Sequence, residues 1–274
     1  MDFPTARQRF YQEIRQPDSQ ISLAKAALYI AQEEYPELDV EVYLTRLNLM
    51  ATEIADRLPA TSYPLRIIQA INQYLFTSLG FQGNTGDYYD PRNSYLNQVI
   101  DRRTGIPITL SLVYLELAQR IGFPMEGVGM PGHFLIRPVF EEMQVFVDPF
   151  NQGEILFEED CRNRLQQIFN RPVELRPEFL ATVSSAQFLT RMLSNLKAIY
   201  ISQNEIAKAL TVIDRILLLV QSPVDQRDRG ILYYQSGRWT EASRDLESYL
   251  NQLPTAGDAA AIRGLLKRIQ DAKE

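Results

Sequence analysis

Pro107-Ile108-Thr109-Leu110-Ser111-Leu112-Val113-Tyr114-Leu115-Glu116-Leu117-Ala118-Gln119-Arg120-Ile121 is apolar on nearly every face. A helix lying on a surface confines its apolar side chains to one stripe, whereas one that is hydrophobic all round is buried. Pro107 suits the first turn, where no N–H donor is needed, and Gly122 suits the C-terminal cap. The stretch predicts a central helix with other elements packed around it.

C-terminal to this helix the periodicity changes. Residues 125–128, 133–137 and 144–147 are short runs of aliphatic and aromatic residues separated by Gly/Pro turns. They read as three strands of a small antiparallel sheet. On the N-terminal side, Leu23, Ala26, Ala27, Ile30 and Ala31 recur at helical spacing, as do Leu44, Leu47 and Ala51. Pro36 separates these two helices, and Asp39 is placed to cap the second. A third helix is expected over 64–79, stopping at Gly80. The Gly/Asn-rich loop 82–89 and the turn 90–94 then lead into a helix over 95–102. Helices, one buried helix and then a sheet make an α+β layout.

Beyond 172–177, a proline-bounded edge, everything reads as helix. Ala198-Ile199-Tyr200 returns as Ile231-Leu232-Tyr233, Ala209 as Ala242, Ile213 as Leu246 and Leu217 as Leu250, always 33 residues on. With Gly237 in the turn and Pro254 at the close, the period resembles that of tetratricopeptide repeats, about 34 residues. Two unrelated amphipathic hairpins are the plainer alternative. The expected organisation is a first domain over 1–176, with a helical part at 1–80 and a core motif at 87–150, and an all-helical repeat-like region over 177–274.

Composition excludes several classes. The 274 residues are 45% hydrophobic and 23% charged, which suits packed cores and not disorder. A net charge of -6 argues against broad nucleic-acid or anionic-membrane binding. Arg102 and Arg103 read as a solvated helix end. The single cysteine, Cys161, rules out an intramolecular disulfide and a Cys-rich zinc site. One histidine among scattered carboxylates gives no transition-metal spacing. The absence of a P-loop or dinucleotide fingerprint leaves no cofactor expected. The longest aliphatic run, 216–220, is far short of a membrane span. The N-terminus has no signal-peptide h-region, so a cytoplasmic location is expected.

His133 is the only histidine. It follows Pro131-Gly132, and Asp148 ends the next expected strand. An Asp beside a His fixes its tautomer and stabilises the imidazolium, the orienting half of a nucleophile–base–acid triad. A plain structural hydrogen bond is the competing reading.

Longer motifs carry more. Asp87-Tyr88-Tyr89-Asp90-Pro91-Arg92-Asn93-Ser94-Tyr95-Leu96, Arg103-Thr104-Gly105-Ile106-Pro107-Ile108-Thr109-Leu110-Ser111, Pro131-Gly132-His133-Phe134-Leu135-Ile136-Arg137 and Asp148-Pro149-Phe150-Asn151 resemble the SirB1 family. The resemblance covers essentially the whole chain. It implies a transglutaminase-like domain followed by tetratricopeptide-like helices. In transglutaminase-like and papain-like proteins a Cys starts a buried helix, whose N-terminus lowers the thiol pKa, and His and Asp follow on adjacent strands. Counting back one helix length from Ile121-Gly122-Phe123-Pro124 puts that Cys position near Pro107, and proline is no nucleophile. Cys161 lies beyond Asp148 among Glu158, Glu159 and Asp160, which raise a thiol pKa.

Thr109 and Ser111 are the hydroxyls placed to substitute, with His133 as base. Equally, both can bond back to helix carbonyls. Further cleft candidates are Asn93 and Asp90, which also read as turn or cap residues, and Tyr89 beside Tyr88, which also read as core aromatics. Arg137 is another, placed to hold a carboxylate or to pair with Asp148 or Glu154, and Pro107 completes the set. Two functions compete. One is a non-catalytic interaction or regulatory module with a protein partner. The other is a hydrolase or amide-transfer enzyme using Thr109 or Ser111 with His133 and Asp148.

Overall fold

The computed structural model describes residues 4–58, 63–140 and 145–272. Its N-terminal part is helical: α1 (Thr5–Ile14), α2 (Leu23–Glu34), α3 (Val40–Ala55) and α4 (Pro64–Asn72). Ser22 caps α2 and Asp39 caps α3, each by accepting a backbone N–H of the first turn. The polar sequence of α1 hides its helix. Phe10 is its one fully buried large side chain, and Arg7 ties it to Glu33 of α2 at 2.5 Å. The helix expected over 64–79 is α only to Asn72, then widens into a π-helical turn at Gln73–Ser78.

Two short strands, β1 (Gln82–Gly83) and β2 (Thr104–Gly105), pair in parallel on either side of α5 (Leu96–Arg102). They deliver the chain into α6 (Pro107–Arg120). Every residue from Pro107 to Ala118 is buried, as an all-round apolar helix requires. Its one buried carboxylate, Glu116, accepts the Ala24 N–H at the start of α2 at 3.0 Å and pairs with Arg120, so the charge is compensated.

The sheet is an antiparallel meander of β3 (Met125–Val128), β4 (Leu135–Pro138), β5 (Phe146–Asp148) and β6 (Glu154–Leu156). The fourth strand escaped the sequence reading because Glu154-Ile155-Leu156 is too short to show alternation. Gln144, expected to begin the third strand, lies outside the described residues. His133 does not begin β4. It sits in the preceding turn, two residues before the strand.

Alternation sends Val128, Leu135, Phe146 and Leu156 to one face, where they pack with Cys161 and Leu165 of α7 (Glu158–Phe169). Val147 and Ile136, also fully buried, alternate to the face that meets α6. The sheet is thus a layer between two helices. Beyond α7, Val183 N donates to Gly127 O at 3.0 Å along β3, and the chain enters α8 (Ser185–Ser202).

The turn from β5 to β6 depends on Gly153, at φ +74°. A Cβ there would fall 2.0 Å from Asn72 Oδ1, and the same Asn72 amide donates to Gly153 O at 2.7 Å and accepts from Tyr114 at 3.0 Å. Gly153→Ala is expected to cost about 2–3 kcal/mol through φ strain plus displacement of that amide. A change below about 0.5 kcal/mol in a urea titration would show that the turn relaxes freely.

The chain divides into two compact units, Met1–Met192 and Leu193–Glu274. The division falls within α8, C-terminal to the boundary read at 176/177. The first half of α8 serves the first unit, with Phe188 against Phe134 at 5.0 Å. The second unit holds the end of α8, then α9 (Ile206–Leu219), α10 (Pro223–Gln235), α11 (Trp239–Gln252) and α12 (Ala259–Asp271). The 33-residue correspondence is structural as well as textual. Asn204 and Gly237 both take a left-handed turn conformation, with φ of 58° and 72°. Glu205 N donates to Tyr200 O as Arg238 N donates to Tyr233 O. Ala209, Ala242, Ile213 and Leu246 are all fully buried.

Candidate functional site

Met130-Pro131-Gly132-His133 is a tight turn: His133 N donates to Met130 O at 3.1 Å, and Gly132 takes φ +73°. Pro followed by a positive-φ Gly is the signature of a type II turn. The turn sets His133 just ahead of β4, while the register Ile136↔Val147 brings the end of β5 alongside. His133 Nε2 and Asp148 Oδ2 meet at 2.8 Å, both residues buried.

Asp148 is fully buried and saturated. Oδ1 accepts the N–H groups of Phe150 and Asn151 at 3.1 and 3.2 Å, capping the 3-10 turn Pro149–Asn151. Oδ2 accepts from Asn151 Nδ2 at 2.8 Å as well as facing His133, and Arg164 Nη1 stands 3.4 Å away. Burial alone would raise this carboxyl. The His133 hydrogen bond and charge, the Asn151 amide and Arg164 outweigh it and hold Asp148 below the usual carboxylate range. His133 Nδ1 makes no hydrogen bond among the described residues. Phe150 stands edge-on to the imidazole at 6.0 Å.

The helix start carries no cysteine. Pro107 occupies the first position of α6. Thr109 lies two residues on with its hydroxyl spent: it donates to Asn93 O at 2.7 Å, lies 3.2 Å from Ile106 O, and accepts from Ile106 N at 3.1 Å. Ser111 is fully buried, and its hydroxyl makes no hydrogen bond. Neither hydroxyl bonds to His133. Cys161 is fully buried in the sheet–α7 core, and burial, then Asp160 and Asp148, push its thiol up to about 12.

Asn93 is fully buried: its Nδ2 donates to Asp87 O at 2.8 Å and its Oδ1 accepts from Asn84 at 3.1 Å, latching the loop before it. Asp90 caps the turn at Pro91–Ser94 and pairs with Arg92 and Arg102. Burial would raise its carboxyl, but those two arginines hold it below the usual range. Tyr89 is exposed beside Tyr88. Arg137 does not reach Asp148 or Glu154. It faces Glu126, its partner in the β3–β4 register, at 3.5 Å. Arg164 of α7 takes the role expected of Arg137, pairing Glu154 at 2.6 Å and Asp148.

Sequence reading missed Arg164 and Arg191. Arg191 Nη2 donates to Met130 O at 2.8 Å and His133 O at 2.6 Å, bracketing the His133 turn. The signal available for it was a cation one turn after Phe188 within the stripe Phe188, Leu189, Met192. Among the described residues, no group of three or more His, Cys, Asp or Glu could hold a metal ion, and no helix is long and apolar enough to cross a membrane.

Comparison with known proteins gives a consistent result. The profile described as the transglutaminase-like superfamily matches residues 41–194, and that of the tetratricopeptide repeat matches 196–267. The UPF0162 protein of Xylella fastidiosa (strain 9a5c) is 39% identical over 254 residues, covering 91% of this chain and 90% of that protein. The UPF0162 protein of Vibrio cholerae serotype O1 is 30% identical over 188 residues, covering 68% and 69%. F-box only protein 21 of Homo sapiens is 27% identical over 266 residues, covering 84% of this chain and 41% of that one. No solved structure matches.

Proposed function

The chain belongs to the transglutaminase-like superfamily, within the SirB1-type UPF0162 group, and from that premise we propose that it is a non-catalytic member acting as a protein-interaction or regulatory module. The observation that carries this reading is the start of α6. Pro107 stands where the superfamily's thiol is expected, and the nearest hydroxyl, Thr109, is committed to backbone groups. A nucleophile needs its base within hydrogen-bond reach, and neither hydroxyl candidate has one. The His133–Asp148 pair then acts as a buried polar anchor joining the turn before β4 to the end of β5. The tetratricopeptide-like helices supply the kind of stacked surface that binds peptides or subunits elsewhere.

The test has two arms. Tagged protein is expected to recover one stoichiometric partner from its own cell extract, unchanged by Ser111→Ala. In parallel, fluorogenic amide, ester and glutamine-donor substrates are expected to show no turnover. Turnover that Ser111→Ala or His133→Gln abolishes would overturn the reading, as would failure to recover any partner.

A further inference from the structure

Arg191 is a half-buried cation with no carboxylate beside it among the described residues, its guanidinium lying over the Phe134 ring at 5.4 Å. It forms no ion pair with any described carboxylate, and the only ionisable side chain acting on it is the Tyr88 phenol. Burial presses its guanidinium below the usual range, and the Tyr88 phenol offsets only part of that. Buried charges in folded chains are otherwise paired, because desolvating one alone is costly. Gly129 makes room for it: a Cβ there would stand 3.3 Å from Arg191 Nη1.

Only Nη2 is used, on the carbonyls of Met130 and His133. Nε and Nη1 make no hydrogen bond among the described residues. Two more polar groups in the same neighbourhood are unspent. One is His133 Nδ1. The other is the Tyr88 hydroxyl, whose ring stands 6.2 Å from Phe150, itself 6.0 Å from the imidazole. Burial, and after it Tyr89, hold the Tyr88 phenol above its ordinary value, so it donates at neutral pH. Guanidinium and phenol are both donors. Asp148 meets the ring at Nε2 and is saturated there.

We propose that Arg191 and Tyr88 form a carboxylate-binding site beside His133, and that its ligand is a peptide presenting one carboxylate to the Arg191 guanidinium. Arg is suited to carboxylates because its planar fork matches their geometry. The rim favours a peptide over a bare acid. Tyr89 is 68% exposed, and Ile168, 39% exposed, lies against the His133 turn, where a Cβ on Gly132 would come within 2.6 Å of it. Tyr89 stands beside Tyr88, ring centroids 5.4 Å apart. The site does not depend on whether the chain is catalytic.

His133 is the sole histidine, so its imidazole NMR signals need no assignment. Three N-acetylated tripeptides built from leucine and small residues are titrated against the full chain. One ends in a free carboxylate, one is its C-terminal amide, and one is an amide carrying a glutamate side chain. A saturable shift with either acid, absent with the plain amide, is the expected result, and the first and third peptides tell a chain end from an acidic side chain. Arg191→Met is expected to weaken binding at least about ten-fold, the loss of charge-assisted hydrogen bonds. Because Arg191 also holds the His133 turn, Tyr88→Phe serves as the variant that leaves backbone contacts intact, with an expected loss of about three-fold. Equal binding of acid and amide, no saturable shift with either acid, or wild-type affinity in Tyr88→Phe would overturn the proposal.

Discussion

Asp148→Ala is expected to destabilise the first unit by about 3–5 kcal/mol, the usual cost of removing one partner from a buried charged pair. The carboxylate is fully buried and serves five groups: His133, the N–H groups of Phe150 and Asn151, the Asn151 amide and Arg164. Truncation leaves buried donors without acceptors and Arg164 with Glu154 alone. Urea unfolding followed by far-UV circular dichroism measures the loss, and a change under about 1 kcal/mol would mean that water replaces the carboxylate. The same residue sets an acid limit. Its folded-state pKa lies below its unfolded one, so its contribution is fully present above the unfolded value, about 3.9, and disappears as pH falls through the lower folded value. Asp148→Asn has no such proton to take up. Its stability is therefore expected to fall less steeply than wild type below about pH 4.

In the second unit the corresponding position is Asp245. Its side chain is 1% exposed and takes Arg229 in a fork, Nε at 2.6 Å and Nη2 at 3.0 Å, while Arg229 Nη1 reaches Asp214 at 2.8 Å. This triad joins α9, α10 and α11. It sits where Gly230 lets α10 and α11 close up, since a Cβ there would stand 2.8 Å from Leu246. Asp245→Ala leaves Arg229 half-paired under that contact and is expected to cost about 3 kcal/mol. The only tryptophan, Trp239, lies in α11, so its fluorescence reports this unit. The Trp239 transition is expected to move to lower urea in Asp245→Ala and to hold still in Asp148→Ala. Movement of Trp239 in both variants would show that the two units unfold together.

Local physics made much of the architecture legible. The central helix was readable because no face of 107–121 is polar, and the sheet because the period switches at Gly122. The repeat was readable because Ala209/Ala242 and Ile213/Leu246 recur at one spacing. Elements whose burial comes from partners and not from pattern were not placed one by one, α1 being covered only by the helical reading of 1–80. Polar α1 is held by Arg7 and Glu33, and three-residue β6 is held by its ladder to β5.

The sequence by itself determined the family, the α+β order, the repeat-like second half, and the absence of a cysteine at the start of the buried helix. These rest on residue identity and spacing, which a linear chain displays. Only the tertiary structure decided which side chains meet. The strand register joined His133 to Asp148, and Arg137 was turned to Glu126 while Arg164, from a different element, took its place. It also decided that the Thr109 hydroxyl is spent on the backbone and that Arg191, 58 residues from His133, holds the turn that presents it. Contacts between elements far apart in the chain depend on register, burial and a few hydrogen bonds, and none of these leaves a mark in local composition.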